Sequence, residues 1–75
     1  MDFKLNEKVY GYYNNLYPLI EGKIIQIGMH NIENFYVEKL YTIDTNNGII
    51  KIPAKQVFLT FEQWKKYYDI KMTEN

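Results

Sequence analysis

Tyrosine is the residue type through which this chain could do chemistry, and the chemistry would be recognition. Tyr10, Tyr12, Tyr13 and Tyr17 stand close together, Tyr36 and Tyr41 follow in mid-chain, and Tyr67 and Tyr68 lie near the C-terminus. A phenol offers a broad apolar face and a polar tip at low side-chain entropy, which suits partly buried recognition surfaces. Some of these rings must pack a core. An exposed aromatic patch is expected around Tyr12, Tyr13 and Tyr17, with Tyr36 and His30 as further binding candidates. For His30 the simpler reading is a strand-end residue bonded to a neighbour or to water.

Catalysis has little to work with. The chain has neither Ser nor Cys and a single histidine, so a nucleophile–histidine–acid triad would have to pair a Thr with His30. Glu33 and Glu38 are expected as solvated charges on turn or strand positions. His30 could join Glu33 at a metal, but no second histidine or cysteine completes such a site. Gly11, Gly22, Gly28 and Gly48 are scattered and form no phosphate-cradling loop. The expectation is a protein that is not an enzyme and carries no cofactor and no metal.

Charge narrows the partners. Nine basic residues, all Lys, balance nine acidic ones. A neutral chain has little long-range pull on phosphate backbones, and without Arg it lacks the bidentate fork for phosphate or guanine. Nucleic acid therefore ranks low as a partner. The first residues do not form a basic segment followed by an apolar run, and no stretch approaches the ~18 apolar residues of a membrane span. A soluble cytoplasmic protein with no membrane partner is expected, and the absence of Cys fits a reducing compartment. At 75 residues the chain makes one domain. Such a domain buries only roughly 60–65% of its unfolded surface, so aromatic packing or self-association must supply the margin.

The elements that would position these residues can be read in order. Asn47-Gly48 between Ile- and Thr-rich runs predicts a two-residue type I′ hairpin turn, with Asp44 facing Lys51 and Ile43 facing Ile52. Tyr41, Ile43, Ile50 and Ile52 then look inward, while Asp44 and Lys51 look at water. Strands are expected over about 7–13, 19–30, 35–45, 49–53 and 57–59, with Val9 inward and Gly11 at a bend or close approach. In the second strand Ile25, Ile27 and Met29 form the core side. A bulge near Glu38-Lys39 would repair the alternation of the third. Pro53 ends a strand, and Ala54-Lys55-Gln56 makes one tight turn. Thr60 and Gln63 read as a capping box opening a helix over about 61–71, with Leu59 and Trp64 as a staple and Phe61, Trp64 and Tyr68 on one face. The segments Met1–Leu5 and Met72–Asn75 are expected to fray.

Five short strands, a single turn before the last one and a terminal helix suggest a five-stranded SH3-like small barrel. The runs Glu21-Gly22-Lys23-Ile24-Ile25, Tyr41-Thr42-Ile43 and Ile52-Pro53 leading to Val57-Phe58-Leu59-Thr60-Phe61-Glu62 resemble small SH3-like (Tudor/KOW-type) barrel proteins of phages and Gram-positive bacteria. Heavy use of Asn, Ile, Lys and Tyr is similarly like that of proteins from low-GC Gram-positive bacteria and their phages. The acidic loop and paired tryptophans of peptide-binding SH3 domains are absent, so polyproline recognition is not implied.

Two functions fit an aromatic surface on such a domain. In one, the tyrosines grip a protein, either a second copy or a host factor that a phage protein would inhibit. In the other, an oligomer encloses a small planar molecule, a nucleotide or cyclic dinucleotide, between tyrosine rings, with Lys and backbone N–H groups meeting phosphate. The first is preferred because the missing arginines disfavour a highly charged ligand.

Overall fold

The computed structural model describes residues 3–32 and 36–73. In chain order it has strands β1 (Lys8–Gly11), β2 (Ile20–Ile32), β3 (Tyr36–Thr45) and β4 (Gly48–Pro53), a 3-10 turn (Ala54–Gln56), strand β5 (Val57–Phe58) and helix α1 (Phe61–Thr73). All strand pairs are antiparallel, in the order β4-β3-β2-β1-β5. The chain is therefore mainly β with one C-terminal helix. The sheet is not closed: β4 and β5 are its two edges. β1 stops at Gly11, earlier than expected, where its pairing with β2 ends at Ile20; the Tyr12 N–H, donated to the Gln56 carbonyl at 3.0 Å, carries the contact with the β5 side one residue further.

One apolar cluster draws on every strand: Val9, Ile20 and Ile24, Tyr41 and Ile43, Ile52, and Val57. Phe3 joins it, its ring edge-on to Tyr41 at 5.4 Å and its N–H donated to the Tyr41 hydroxyl at 3.2 Å. The expectation that Met1–Leu5 fray is thus overturned at Phe3, since a buried ring and a buried hydrogen bond tie the chain down there. The helix likewise continues through Met72 and Thr73. Gly11 sits where expected, at a close approach: a Cβ there would stand 2.7 Å from Ile52 Cδ1.

The core face of β2 differs from the expected one: a bulge puts Ile24 on it together with Ile27, which stands opposite Tyr41. Ile24 is fully buried, whereas Ile25, Ile27 and Met29 are exposed. The register shifts between Ile24 and Gln26, leaving Ile25 as an extra residue, while β3 runs without interruption through Glu38-Lys39. The bulge lies on the opposite strand from the expected one. Since β1 pairs only with Ile20–Lys23, Ile27 and Met29 lie beyond its cover.

The β3–β4 turn is also two residues long, but its centre is Asn46-Asn47, with Thr45 opposite Gly48 and Ile43 opposite Ile50. Neither asparagine has positive φ, so the turn is not type I′; the positive φ, 118°, falls on Gly48. The Thr45 hydroxyl decides this, accepting from the Asn47 N–H at 3.1 Å and donating to the Gly48 carbonyl at 2.7 Å. Because the slip is by two residues, every side chain keeps its face: Tyr41, Ile43 and Ile52 are buried, Ile50 is half-buried, and Asp44 and Lys51 are exposed. Asp44 now stands opposite Ile49 on one side and Lys23 on the other. Gly48→Val has open space for its side chain but a backbone angle that a β-branched residue resists. It is expected to cost about 1–3 kcal/mol, read as a lowered Tm; an unchanged Tm would contradict the turn geometry.

Thr60 caps α1, accepting from the Gln63 N–H at 3.2 Å, and Gln63 Oε1 accepts in return from the Leu59 N–H at 3.1 Å. The buried Trp64 stacks between Phe61 and Tyr68 and seats the helix, while Glu62, Lys65, Lys66 and Asp69 face water. No helix among the described residues is long and apolar enough to cross a membrane.

Candidate functional site

The loop from Tyr12 to Leu19, joining β1 to β2, carries the candidate site. Its backbone closes on itself. The Tyr17 carbonyl accepts from the N–H groups of Tyr13 at 3.2 Å and Asn14 at 3.4 Å, and the Tyr17 N–H donates to the Asn14 carbonyl at 3.1 Å. Asn14 Oδ1 accepts from the N–H groups of Leu16 and Tyr17, both at 2.9 Å, an Asx turn that fixes the tip. The base is tied to the helix by the Trp64 indole, which donates to the Pro18 carbonyl at 2.8 Å. It is tied to the 3-10 turn by the Gln56 side-chain amide, which donates to the Tyr12 carbonyl.

Tyr12 belongs to this scaffold and not to the exposed patch. It is only 5% exposed, its ring meets Tyr67 at 5.9 Å with Lys71 Nζ over it at 5.1 Å, and its hydroxyl donates to Asn15 Oδ1 at 2.6 Å. The expectation that Tyr12 is exposed is corrected. The helix covers Tyr12, with Tyr67 and Lys71 of α1 against its ring.

Tyr13 (42% exposed) and Tyr17 (47%) do stand out together, and the loop adds Leu16, 84% exposed, and Leu19. Tyr13 and Tyr17 also line a cleft of about 200 Å³ with Ile20, Thr45, Asn47 and Ile50, against the β3–β4 turn. No lining residue is charged. The cleft can accept an apolar or aromatic side chain and offers nothing to neutralise a phosphate.

The other two candidates are elsewhere. His30 and Tyr36 lie in the β2–β3 ribbon, where their backbones pair opposite Glu38 and Ile32; their side chains lie outside the described residues. From Ile20 to His30 the strand rises on the order of 30 Å, so these residues and the loop do not form one site. Glu33, considered with His30 for a metal, also lies outside the described residues.

Leu16, Leu19, Asn14 and Asn15 were not among the candidates. The available signal was two adjacent asparagines between aromatic residues with a proline after them, a pattern that builds self-bonded turns. Comparison of the chain with family models, curated proteins and solved structures returned no match.

Proposed function

We propose that this chain is a non-catalytic binding module that holds a partner protein through Tyr13, Leu16, Tyr17 and Leu19. The observation that carries the reading is the exposure of four large apolar side chains on a loop whose backbone is pinned by its own hydrogen bonds and by Trp64 and Gln56. Holding apolar side chains in water is unfavourable, and fixing them beforehand removes much of the ordering cost of association. Tyrosine at the centre of such a patch, beside a small cleft, is the composition of an interface hot spot.

The SH3-like reading of the fold belongs with this proposal. It is supported by the β2–β3–β4 meander, the 3-10 turn between β4 and β5, the pairing of β5 on β1, and a core shared by both edge strands. The Asn-, Ile-, Lys- and Tyr-rich composition is like that of proteins of low-GC Gram-positive bacteria and their phages, and on this reading the partner is a host factor met in the cytoplasm.

Native mass spectrometry after incubation with a bacterial lysate, on the wild type and on a Tyr13→Ala, Leu16→Ala, Tyr17→Ala variant, tests the reading. The variant should keep a folded circular dichroism spectrum and lose at least about 30-fold in affinity for the co-complex, the effect of one hot-spot residue or more. A homo-oligomer dispersed by the variant would make the partner a second copy. A mass increment of nucleotide size would assign the cleft to a small planar ligand, and a co-complex kept by the variant would overturn the loop as the interface.

A further inference from the structure

A second concavity lies between α1 and the last strand, and none of its lining residues belongs to the tyrosine loop. Its volume is about 640 Å³, within the range of small-molecule sites. Gln63, Lys66, Tyr67 and Ile70 line one wall, and their spacing puts them on one face of the helix. The opposite wall is Ala54, Val57 and Phe58, with Phe3 of the core cluster also lining the groove.

The helix is seated at two points: Trp64, stacked between Phe61 and Tyr68 and bonded to Pro18, and Tyr67, whose ring meets Phe58 of the opposite wall at 5.0 Å. Around that one ring contact Gln63, Lys66 and Ile70 border open space. Ile70 is an exposed apolar residue on the helix wall. The charged groups in the lining are Lys55, from the 3-10 turn, and Lys66, from the helix; no carboxylate is among the lining residues. Lys55 has a carboxylate neighbour in Glu38, at 3.9 Å, but its own side chain is 73% exposed. That pairing is weak and leaves the ammonium able to turn to another anion.

We infer that the groove between α1 and β5 binds a small amphipathic anion, an apolar chain or ring system lying along Val57, Phe58, Tyr67 and Ile70 with its carboxylate met by Lys55 and Lys66. Charge complementarity selects the head group, and the apolar walls select the body.

Isothermal titration calorimetry with three probes of equal chain length, dodecanoate and dodecyltrimethylammonium below their micelle concentrations and dodecanol below its solubility limit, tests this on the wild-type protein. Dodecanoate should bind one per chain, at least about tenfold more tightly than either other probe, as two modest ion pairs would give. Lys55→Gln with Lys66→Gln should remove that preference, and Ile70→Asn should weaken all three. The Tyr13→Ala, Leu16→Ala, Tyr17→Ala variant should bind dodecanoate unchanged, which separates this site from the tyrosine loop. Equal binding of the cationic probe, no binding of dodecanoate, or a preference that survives removal of both lysines would overturn the inference.

Discussion

Gly22→Ala is expected to destabilise the fold by about 3 kcal/mol or more. Gly22 lies in β2, paired with Val9 of β1 on one side and Thr45 of β3 on the other. A Cβ there would stand 2.3 Å from the Asp44 carbonyl oxygen, 3.0 Å from its carbon and 2.8 Å from Ile43 Cγ2. Two of these atoms are backbone, so no change of rotamer relieves the clash; the two strands must separate next to the fully buried Ile24 and Ile43. Forced overpacking costs about 1–3 kcal/mol where side chains can yield, and a backbone clash at the centre of a sheet belongs at or above the top of that range. A domain of this length holds roughly 4–11 kcal/mol in total. A loss of about 3 kcal/mol would lower Tm by at least about 12 °C in a thermal melt followed by circular dichroism. Gly28→Ala is the control, since its Cβ would meet nothing within 4 Å. It should melt within a few degrees of the wild type, and equal behaviour of the two variants would refute the close approach at Gly22.

Tyr41→Ala carries the second large effect. Tyr41 has no exposed surface, stands opposite Ile27 on β2 and Ile52 on β4, and receives both the ring and the N–H of Phe3. Truncation opens a cavity at the middle of the core and releases the N-terminal segment, at a cost of about 3–5 kcal/mol. Tyr41→Phe separates the two contributions: the ring stays and only the acceptor for the Phe3 N–H is lost, about 1 kcal/mol. Urea denaturation of both variants gives the comparison, and hydrogen exchange at the Phe3 amide should speed up in Tyr41→Phe while the rest of the core stays protected. If Tyr41→Ala unfolded at the wild-type urea midpoint, the ring could not be the centre of the core.

The tyrosine loop shows how far sequence reasoning reached toward the site. Clustering of Tyr12, Tyr13 and Tyr17 pointed to the segment on which the fold exposes Tyr13 and Tyr17, because side-chain chemistry is legible in a list of residues. Which ring faces inward was not legible: Tyr12 is buried by Tyr67 and Lys71, more than fifty positions away. Leu16 was legible only as part of the break from Asn14 to Pro18, since a turn in the sequence does not show which of its side chains the fold leaves in water.

For the fold, local signals determined what local physics controls. Pro53 and the three residues after it marked the 3-10 turn, Thr60 with Gln63 marked the helix start, and alternation placed Tyr41, Ile43 and Ile52 inward. The alternation survived an error in the hairpin register because a slip of two residues preserves the face of every side chain. Tertiary structure alone decided the rest. The β2 bulge at Ile25, the recruitment of Phe3 to Tyr41, and the open sheet with β4 and β5 at its edges depend on how separate strands meet. The groove beside α1 is set by where Trp64 and Tyr67 seat the helix, on Pro18 and on Phe58, which leaves Gln63, Lys66 and Ile70 bordering open space. Each of these is set by contacts between residues far apart in the chain, whose free energy no short window of sequence contains.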